Sequence, residues 1–254
     1  MTDVLVTGAA GGLGGALVDA LVARGDRVVA VDREALTRTD VRGYALDVGD
    51  GAALAAAVED AAAAGLELRH VVAIAGGALP EEKRCADPAA LPLDVFRASL
   101  ERNLVTAWVT LQAALPALRR VDGDRSVVLT TSTDALASYG LPAYAAAKAG
   151  LIGIVRSLVA PLGADGIRIN AVAPGDVPTP RNVREWGHVP GWYDAIREAT
   201  PLGRLATPED VAAAYLALID VRHLTGQVLV VDGGQTISRP ATFEARDPEE
   251  RRPR

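Results

Sequence analysis

The sequence has very little cysteine and histidine, and this scarcity excludes several kinds of site. Cys85 is the single cysteine in 254 residues, so the chain cannot form an internal disulfide. The three histidines, His70, His188 and His223, are scattered and do not show the ligand spacing of a zinc site. Acidic residues surround Cys85 in the segment EEKRCADP, which disfavours a reactive thiolate. We therefore expect no disulfide framework, no metal centre and no catalytic cysteine.

Positive charge and long apolar runs are also lacking. The chain has 26 lysines and arginines against 32 aspartates and glutamates, and its net charge of −6 disfavours a nucleic-acid surface. No segment is apolar over the ~18 residues that a membrane span needs. The first residues, MTDVLVTGAAGG, lack the basic region of a signal peptide. The sequence therefore predicts a cytoplasmic protein whose partners include neither nucleic acid nor membrane.

What the sequence does contain is a regular alternation of short apolar runs and helical patterns. The apolar runs predict seven strands, at residues 3–7, 27–32, 43–48, 70–77, 126–132, 167–175 and 227–234. The segments between them predict helices, the main ones at 15–25, 51–64, 96–115, 142–162 and 208–220. Strands that alternate with helices form right-handed crossovers. The pattern therefore predicts an α/β fold with a doubly wound parallel sheet and helices on both faces.

The spacing of these elements predicts one domain over residues 1–238, because no internal stretch has the composition of a linker. Residues 175–205 interrupt the alternation with a long, proline-rich segment, and loops of that length are usually functional. Residues 239–254 are polar and contain proline, so a flexible C-terminal tail is expected. Two roles fit the aromatic residues of the long segment, lining a substrate pocket or packing the loop itself: Trp186, Trp192 and Tyr193.

A glycine-rich turn, TGAAGGLG, joins the first predicted strand to the first helix. Gly8, Gly12 and Gly14 let the backbone approach a pyrophosphate, and the N–H groups of the following helix attract its phosphates. Asp32 ends the second strand, where a carboxylate accepts hydrogen bonds from the adenosine ribose and repels a 2′-phosphate. The pattern predicts NAD as cofactor in preference to NADP. Arg33 is a neighbour that favours NADP, because its charge suits a 2′-phosphate.

Tyr144 and Lys148 lie in the alanine-rich segment AYAAAKAG, where their i,i+4 spacing places them on one face of a helix. A tyrosine has an ordinary pKa of about 10. A neighbouring ammonium is expected to lower that pKa toward the range of a general acid/base.

Ser132 ends the fifth strand, at the edge where parallel sheets bind ligands, so its hydroxyl suits a substrate oxygen. Asn103 either completes a proton relay, where its helix opens locally, or is a polar group on the helix surface.

Taken together, these motifs resemble those of the short-chain dehydrogenase/reductase family in its compact single-domain form, over residues 3–236. The resemblance is carried by TGAAGGLG, LDV, YAAAK, NAVAPGDVPT, PLGRLATPEDVA and LTGQVLVVDGG. It implies a Rossmann-like seven-stranded sheet and a catalytic tetrad of Asn103, Ser132, Tyr144 and Lys148. It also implies homodimers or homotetramers that pair long helices.

The resemblance further implies where the cofactor binds. Asp47 and Val48 are expected to flank the adenine, and Val177 and Thr179 to lie near the nicotinamide carboxamide. Lys148 is expected to hold the nicotinamide ribose as well. The other implied contacts, besides Tyr144 and the glycine turn, are Leu13, Ala75, Gly76, Pro174 and Gly175.

Three features depart from the usual pattern of the family. AIAG stands at residues 73–76 in place of Asn-Asn-Ala-Gly, which weakens the expected link between the sheet and the cofactor region. The spacing from Ser132 to Tyr144 is one residue shorter than is common, and the longer spacing makes Thr131 the catalytic hydroxyl. We favour Ser132, because the loop between them shortens easily. Pro161 removes a backbone donor late in the tyrosine helix, where a kink is expected.

These observations predict an NAD(H)-dependent oxidoreductase that interconverts a secondary alcohol and a ketone without a metal. An alternative is an NADPH-dependent ketoreductase of the 3-oxoacyl type, acting on carrier-protein or polyketide substrates. A remote alternative is a dinucleotide-binding sensor without turnover. The substrate is expected to be a small-molecule alcohol or ketone that residues 175–205 select.

Overall fold

Seven parallel strands form one sheet in a computed structural model, which describes residues 1–137 and 140–238 except the Trp186 side chain. The strands are β1 (Asp3–Thr7), β2 (Arg27–Asp32), β3 (Arg42–Ala45), β4 (Leu68–Ala73), β5 (Arg125–Thr130), β6 (Ile167–Pro174) and β7 (Val228–Val231). Their order is β3-β2-β1-β4-β5-β6-β7, so the winding reverses between β1 and β4. This is the predicted Rossmann-like topology, which binds ligands beyond the carboxyl ends of its strands at that reversal.

Helices cover both faces of the sheet. They are α1 (Gly12–Ala23), α2 (Gly51–Ala63), α3 (Pro80–Lys83), α4 (Leu93–Leu100), α5 (Thr106–Arg120), α6 (Pro142–Ala164), α7 (Pro180–Trp186), α8 (Trp192–Ala199) and α9 (Pro208–Asp220). A π-helical turn at Glu101–Val105 joins α4 to α5. Residues 175–205, predicted as a loop, thus contain two helices, α7 and α8. The predicted tail, residues 239–254, lies outside the described residues.

The hydrophobic core is divided between the two faces of the sheet. Side chains alternate along a strand, so Leu5 packs with α2, α5 and α6, whereas Val4 and Val6 pack with α1 and α9. All three are fully buried. Because both faces are covered, the open side of the sheet is its carboxyl edge, where the predicted site residues lie.

Several predicted boundaries differ from the observed ones. The fourth strand was predicted to reach residue 77 but ends at Ala73, and beyond it Gly76 and Gly77 have φ values of +150° and +123°, which do not continue an extended strand. The third strand ends at Ala45 rather than residue 48. Helix α6 continues past Pro161 to Ala164.

Helix α6 has the length and, at a mean hydropathy of 1.5, the apolar character of a membrane span. Its buried residues include Ala147, Leu151 and Val155, which belong to the core, and Lys148 is buried beside them. A core helix of a soluble protein passes the same test of length and composition. In α6, 33% of the most apolar 18-residue window is buried inside the protein.

Candidate active site

The glycine turn after β1 forms a cradle with no room for side chains. A Cβ atom on Gly14 would lie 2.0 Å from the carbonyl oxygen of Gly8. Gly8 itself has a φ of +72°, and a Cβ there would lie 2.8 Å from the amide nitrogen of Ala75. A Cβ on Gly12 would lie 2.8 Å from the Cβ of Thr179. The turn is thus packed against the segments that follow β4 and β6.

Helix α1 begins directly after this cradle with its N-terminus uncapped. Its N-cap residue, Gly11, makes no side-chain hydrogen bond, and the first turn contains no acidic residue. Leu13 lies in this turn, with its side chain packed against the core. The N–H groups of the turn and the positive end of the helix dipole are therefore suited to an anion. A bare cradle and an uncapped helix end fit the pyrophosphate of the predicted dinucleotide.

Asp32 connects the end of β2 to the cradle. Its Oδ2 accepts a hydrogen bond from the N–H of Ala10 at 3.0 Å, and its Oδ1 accepts one from the N–H of Glu34 at 3.1 Å. Arg33 is exposed beside it. The pKa of Arg102 is lowered mainly by burial and further by the charges of Arg181 and Arg33. The carboxylate predicted to bind the ribose is thus bonded to the glycine turn, and its cationic neighbour is exposed next to it.

The remaining predicted cofactor residues lie along the same edge of the sheet. Asp47 is exposed, and its Oδ1 accepts a hydrogen bond from the N–H of Gly49 at 2.8 Å. Val48 and Val177 are buried. Pro174 ends β6, and a Cβ on Gly175 would lie 2.9 Å from the Cβ of Asp232, so glycine is the residue that fits there.

Tyr144 and Lys148 lie in the first two turns of α6, on the face that points to the end of β5. The Nζ of Lys148 donates a hydrogen bond to the carbonyl oxygen of Thr130 at 2.7 Å. The same atom lies 5.6 Å from the centre of the Tyr144 ring, within range of a cation–π interaction. Lys148 is only 3% exposed, so its charge acts in a largely dry environment.

The structure separates the two candidate hydroxyls, Thr131 and Ser132. The Oγ1 of Thr131 donates a hydrogen bond to the carbonyl oxygen of Lys148 at 2.7 Å, so it binds the backbone of α6. Ser132 is instead the hydroxyl that acts on Tyr144, because its hydrogen bonding lowers the pKa of the phenol. Its Oγ also donates to the Oδ2 of Asp134 at 2.8 Å. Of the two hydroxyls, the geometry favours Ser132 as the partner of Tyr144.

Asn103 lies in the π-helical turn between α4 and α5 and is fully buried. Its Oδ1 accepts a hydrogen bond from the N–H of Gly77 at 2.7 Å, and its Nδ2 donates to the carbonyl oxygen of Ser99 at 3.0 Å. A π-helical turn is the local opening that the relay interpretation requires, and such turns are frequent at functional sites. The alternative of a surface polar group is wrong for this residue.

Burial dominates the titration behaviour of the Tyr144–Lys148 pair. Burial raises the pKa of Tyr144 well above its usual value, and the charge of Asp134 raises it further, while the hydrogen bond with Ser132 lowers it. The sequence predicted the opposite direction, a pKa lowered by Lys148. The direction differs because desolvation penalises the phenolate more than its neighbours stabilise it. Burial also lowers the pKa of Lys148 to about 8, so its ammonium form still predominates at neutral pH.

Two carboxylates that sequence reasoning did not single out lie beside these groups. Thr130 of β5 pairs with Val172 of β6, and Asp134 and Asp176 each follow that pair by four residues, at the same edge of the sheet. Burial, and then the charge of Asp134, raises the pKa of Asp176 to about 6. Burial also raises the pKa of Asp134. The sequence signal for Asp176 was its place within PGDVPT, whereas Asp134 carried none.

The sequence pattern also did not indicate an ion-pair cluster that connects α7 to the segment after β4. The guanidinium of Arg181 donates to the carbonyl oxygens of Gly76 at 3.0 Å and Ala78 at 2.9 Å. The Nε of Arg181 also donates to Glu185 at 2.9 Å, and Glu185 pairs with Lys83 of α3. Apart from the i,i+4 pair of Arg181 and Glu185, these partners are about a hundred residues apart in the chain, so no local pattern reveals the contacts between them.

Tyr193 is one of the aromatic residues for which two roles were left open. Its hydroxyl is buried and has no hydrogen-bond partner among the residues that the structure describes. Burial raises the pKa of this hydroxyl, and the charges of Asp176 and Glu185 raise it further. The charges of Asp176 and Glu185 thus act on Tyr193, and both roles, lining a substrate pocket and packing the loop, stay open for it.

Comparison with known proteins gives consistent matches along the chain. A family model described as enoyl-(acyl carrier protein) reductase matches residues 8–236. D-threitol dehydrogenase of Mycolicibacterium smegmatis is 34% identical over 246 residues, which cover 92% of each chain. A putative ketoacyl reductase of the granaticin polyketide synthase of Streptomyces violaceoruber is 35% identical over 246 residues, 91% of this chain and 94% of that protein.

Solved structures agree with these sequence matches. The crystal structure of an oxidoreductase of the short chain dehydrogenase/reductase family from Burkholderia thailandensis superimposes with a TM-score of 0.84. The two chains are 36% identical, and the match covers 94% of each. The likeness therefore extends over nearly the whole length of both chains.

Proposed function

The chain belongs to the short-chain dehydrogenase/reductase family, and on this premise we propose that it interconverts a secondary alcohol and a ketone with NAD(H) as cofactor. The observation that carries the proposal is the meeting of three groups at the carboxyl edge of the sheet, beside the glycine cradle. These groups are the Tyr144 phenol, the Ser132 hydroxyl and the buried Lys148 ammonium. They provide a proton donor and acceptor, a hydrogen-bond partner for a substrate oxygen, and a positive charge.

Each of these residues has a distinct role in the proposed reaction. The bound nicotinamide supplies the hydride chemistry, and the residues of the chain orient the substrate and move its proton. In oxidation Tyr144, as phenolate, takes the proton of the substrate hydroxyl, and in reduction the phenol returns a proton to the carbonyl oxygen. Ser132 holds that oxygen by a hydrogen bond, and Lys148 stabilises the phenolate. Asn103 supports the relay that exchanges the tyrosine proton with solvent.

The cofactor is proposed to lie across the cradle, with each part held by a different group. The α1 N-terminus suits the pyrophosphate, Asp32 the adenosine ribose and Lys148 the nicotinamide ribose. NAD is proposed over NADP because the Asp32 carboxylate lies where a 2′-phosphate would be repelled. Arg33 and the polyketide ketoreductase among the relatives favour the alternative, an NADPH-dependent ketoreductase.

Cofactor preference tests this assignment directly. We expect NADH to bind at least roughly tenfold more tightly than NADPH, because the ribose hydroxyls bond to Asp32 and the 2′-phosphate is repelled by it. Asp32→Asn should abolish most of this preference while keeping an oxygen that accepts the Ala10 N–H. Fluorescence titration of the purified protein measures both affinities. Tighter NADPH binding by the wild type would show that Arg33 dominates and would favour the ketoreductase.

Turnover distinguishes the enzyme from a dinucleotide-binding sensor. The purified protein is mixed with NAD or NADP and a panel of secondary alcohols, or with the reduced cofactors and ketones, and the reduced nicotinamide is followed by its absorbance. We expect hydride transfer with at least one small-molecule alcohol or ketone. Tight cofactor binding without turnover across the panel would support the sensor.

Asp134 is expected to control the pH dependence of the reaction. Its charge raises the pKa of Tyr144, so Asp134→Asn should lower that pKa. Oxidation requires the phenolate, and the midpoint of its pH profile should therefore move downward, by roughly half to one pH unit. The measurement is kcat for alcohol oxidation as a function of pH in the wild type and the variant.

The matched control for this prediction is Asp94→Asn, because Asp94 is an exposed aspartate in the first turn of α4. Its removal changes the net charge by the same amount but leaves the surroundings of Tyr144 intact. An unchanged midpoint in Asp134→Asn, or an equal shift in the control, would contradict a local effect on Tyr144.

We propose one domain over residues 1–238 that acts in the cytoplasm as a homodimer or homotetramer. Small residues along α6 permit close contact between helices, and two apolar side chains are exposed nearby in sequence, Leu93 at the start of α4 at 60% and Trp108 in the first turn of α5 at 38%. Light scattering of the purified protein measures the assembly, and a monomer would refute it.

A further inference from the structure

Glu82 is a buried carboxylate that neither the motifs nor the proposed chemistry explains. It lies in the four-residue helix α3, and it is only 2% exposed. Its Oε1 accepts hydrogen bonds from the N–H groups of Ala143 at 2.8 Å and Tyr144 at 2.9 Å. Its Oε2 accepts a hydrogen bond from the hydroxyl of Ser99 at 3.1 Å. One side chain thus holds the backbone amide of the proposed acid/base, 62 residues further along the chain.

Glu82 caps the N-terminus of α6, because the residue directly before the helix provides no side-chain cap. The N-cap residue of α6, Leu141, makes no side-chain hydrogen bond, and Pro142 begins the helix. Glu82 accepts hydrogen bonds from the next two N–H groups of the helix, those of Ala143 and Tyr144. A carboxylate at a helix N-terminus is also stabilised by the helix dipole, which explains how this charge is tolerated in a buried position.

The same carboxylate connects Tyr144 to Asn103. Ser99, which donates to Glu82, accepts at its carbonyl oxygen a hydrogen bond from the Nδ2 of Asn103 at 3.0 Å. Asn103 in turn bonds to both the N–H and the carbonyl oxygen of Gly77, at 2.7 and 3.3 Å. A continuous set of hydrogen bonds therefore runs from the segment after β4, through the π-helical turn, to the first turn of α6.

We propose that Glu82 is a positioning residue that fixes Tyr144 along the axis of α6 relative to Asn103 and the segment after β4. The inference rests on the proposed function, in which Tyr144 moves the substrate proton. Glu82 acts on Tyr144 specifically, because it accepts a hydrogen bond from the backbone N–H of Tyr144 itself. Proton transfer is sensitive to small changes in the distance between donor and acceptor, so a loose first turn of α6 lowers turnover even when the fold persists.

Removal of the carboxylate tests the proposal. In Glu82→Ala two helix N–H groups and the Ser99 hydroxyl lose their partner, and we expect kcat to fall roughly 10- to 100-fold. The affinity for the reduced cofactor should change little, because Glu82 contacts none of the cradle. Glu82→Gln keeps an oxygen for both N–H groups and an amide that bonds to the Ser99 oxygen. It should therefore restore kcat to within roughly threefold of the wild type.

Two further variants separate positioning from general stability. Glu81→Ala removes the exposed neighbouring glutamate and should leave kcat unchanged. Ser99→Ala keeps the bonds of Glu82 to α6 and the bond of Asn103 to the carbonyl oxygen of residue 99, but it removes the hydroxyl that joins Glu82 to this residue. It should give a fall in kcat smaller than that of Glu82→Ala. Thermal unfolding is measured for each variant. If Glu82→Ala does not fold, Glu82→Gln and Ser99→Ala decide the question by their kcat values.

The outcomes distinguish this inference from the function on which it rests. Wild-type turnover that Tyr144→Phe abolishes but Glu82→Ala leaves unchanged would overturn the positioning role alone. A Glu82→Ala variant with a lower unfolding temperature and normal kcat would make Glu82 a structural cap only. Turnover that survives Tyr144→Phe would instead overturn the proposed function.

Discussion

Tyr144→Phe is expected to lower kcat roughly 10²- to 10⁴-fold, the usual contribution of a general acid/base. The phenyl ring fills the same space, so the core and the cofactor site keep their packing. The Ser132 hydroxyl and the Lys148 charge remain in place, and they account for the residual activity. Cofactor affinity and the unfolding temperature should therefore stay close to those of the wild type, while turnover of a true substrate is lost.

The matched control is Tyr44→Phe, which makes the same chemical change at the edge of the sheet. The Tyr44 hydroxyl bonds to Asp60 at 2.5 Å, in a cluster with Arg42 on β3. Its loss should leave kcat unchanged. Steady-state kinetics of both variants with one alcohol–ketone pair measure the difference. Near-normal turnover by Tyr144→Phe would show that another group moves the proton.

Lys148→Met is expected to lower kcat roughly 10²- to 10³-fold, as is usual when a buried group that stabilises developing charge is removed. The ammonium lies 5.6 Å from the centre of the Tyr144 ring and bonds to the carbonyl oxygen of Thr130. Methionine fills the volume but provides neither the charge nor the hydrogen bond. The affinity for the cofactor should fall as well, because Lys148 is proposed to hold the nicotinamide ribose.

The pH dependence of wild-type activity provides a second test of the role of Lys148. Burial lowers the pKa of Lys148 to about 8, so its charged form is lost as the pH rises through that value. Activity in the direction of ketone reduction should therefore decline above a pH of about 8, and Lys148→Met should lack this decline. Arg156→Met, which removes an exposed cation from the same helix, serves as control. A wild-type profile without this decline would contradict the role of the Lys148 charge.

The fold and the cofactor cradle could be predicted from the sequence because their signals are local. Apolar runs that end in glycine or aspartate marked the strands, and helical periodicity marked the elements between them. The glycine spacing of TGAAGGLG reflects contacts within one turn, such as the close approach of Gly14 to Gly8. The i,i+4 spacing of Tyr144 and Lys148 likewise depends only on the geometry of one helix.

Boundaries and titration behaviour were predicted less well. The apolar pattern of the fourth strand continues through Ile74 and Ala75, but the strand itself ends at Ala73, and the backbone has positive φ values at Gly76 and Gly77. The pKa of Tyr144 depends on desolvation, which the packing of distant elements determines. The i,i+4 spacing of Tyr144 and Lys148 indicates that a positive charge lies near the phenol. It does not indicate how far the two side chains are buried away from water.

The sequence by itself determined the order of strands and helices, the glycine cradle and the face of α6 that carries Tyr144 and Lys148. Only the tertiary structure showed that Thr131 is bonded to the backbone of α6, which favours Ser132 as the catalytic hydroxyl, and that Asn103 is buried in a π-helical turn rather than exposed. It alone brought Asp134 beside Ser132 and Tyr144 and placed Glu82 at the start of α6. The physical reason is the range of the interactions. Turns and helix faces are encoded by neighbouring residues, whereas hydrogen bonds between residues 60 to 100 positions apart depend on how the crossovers pack on the sheet.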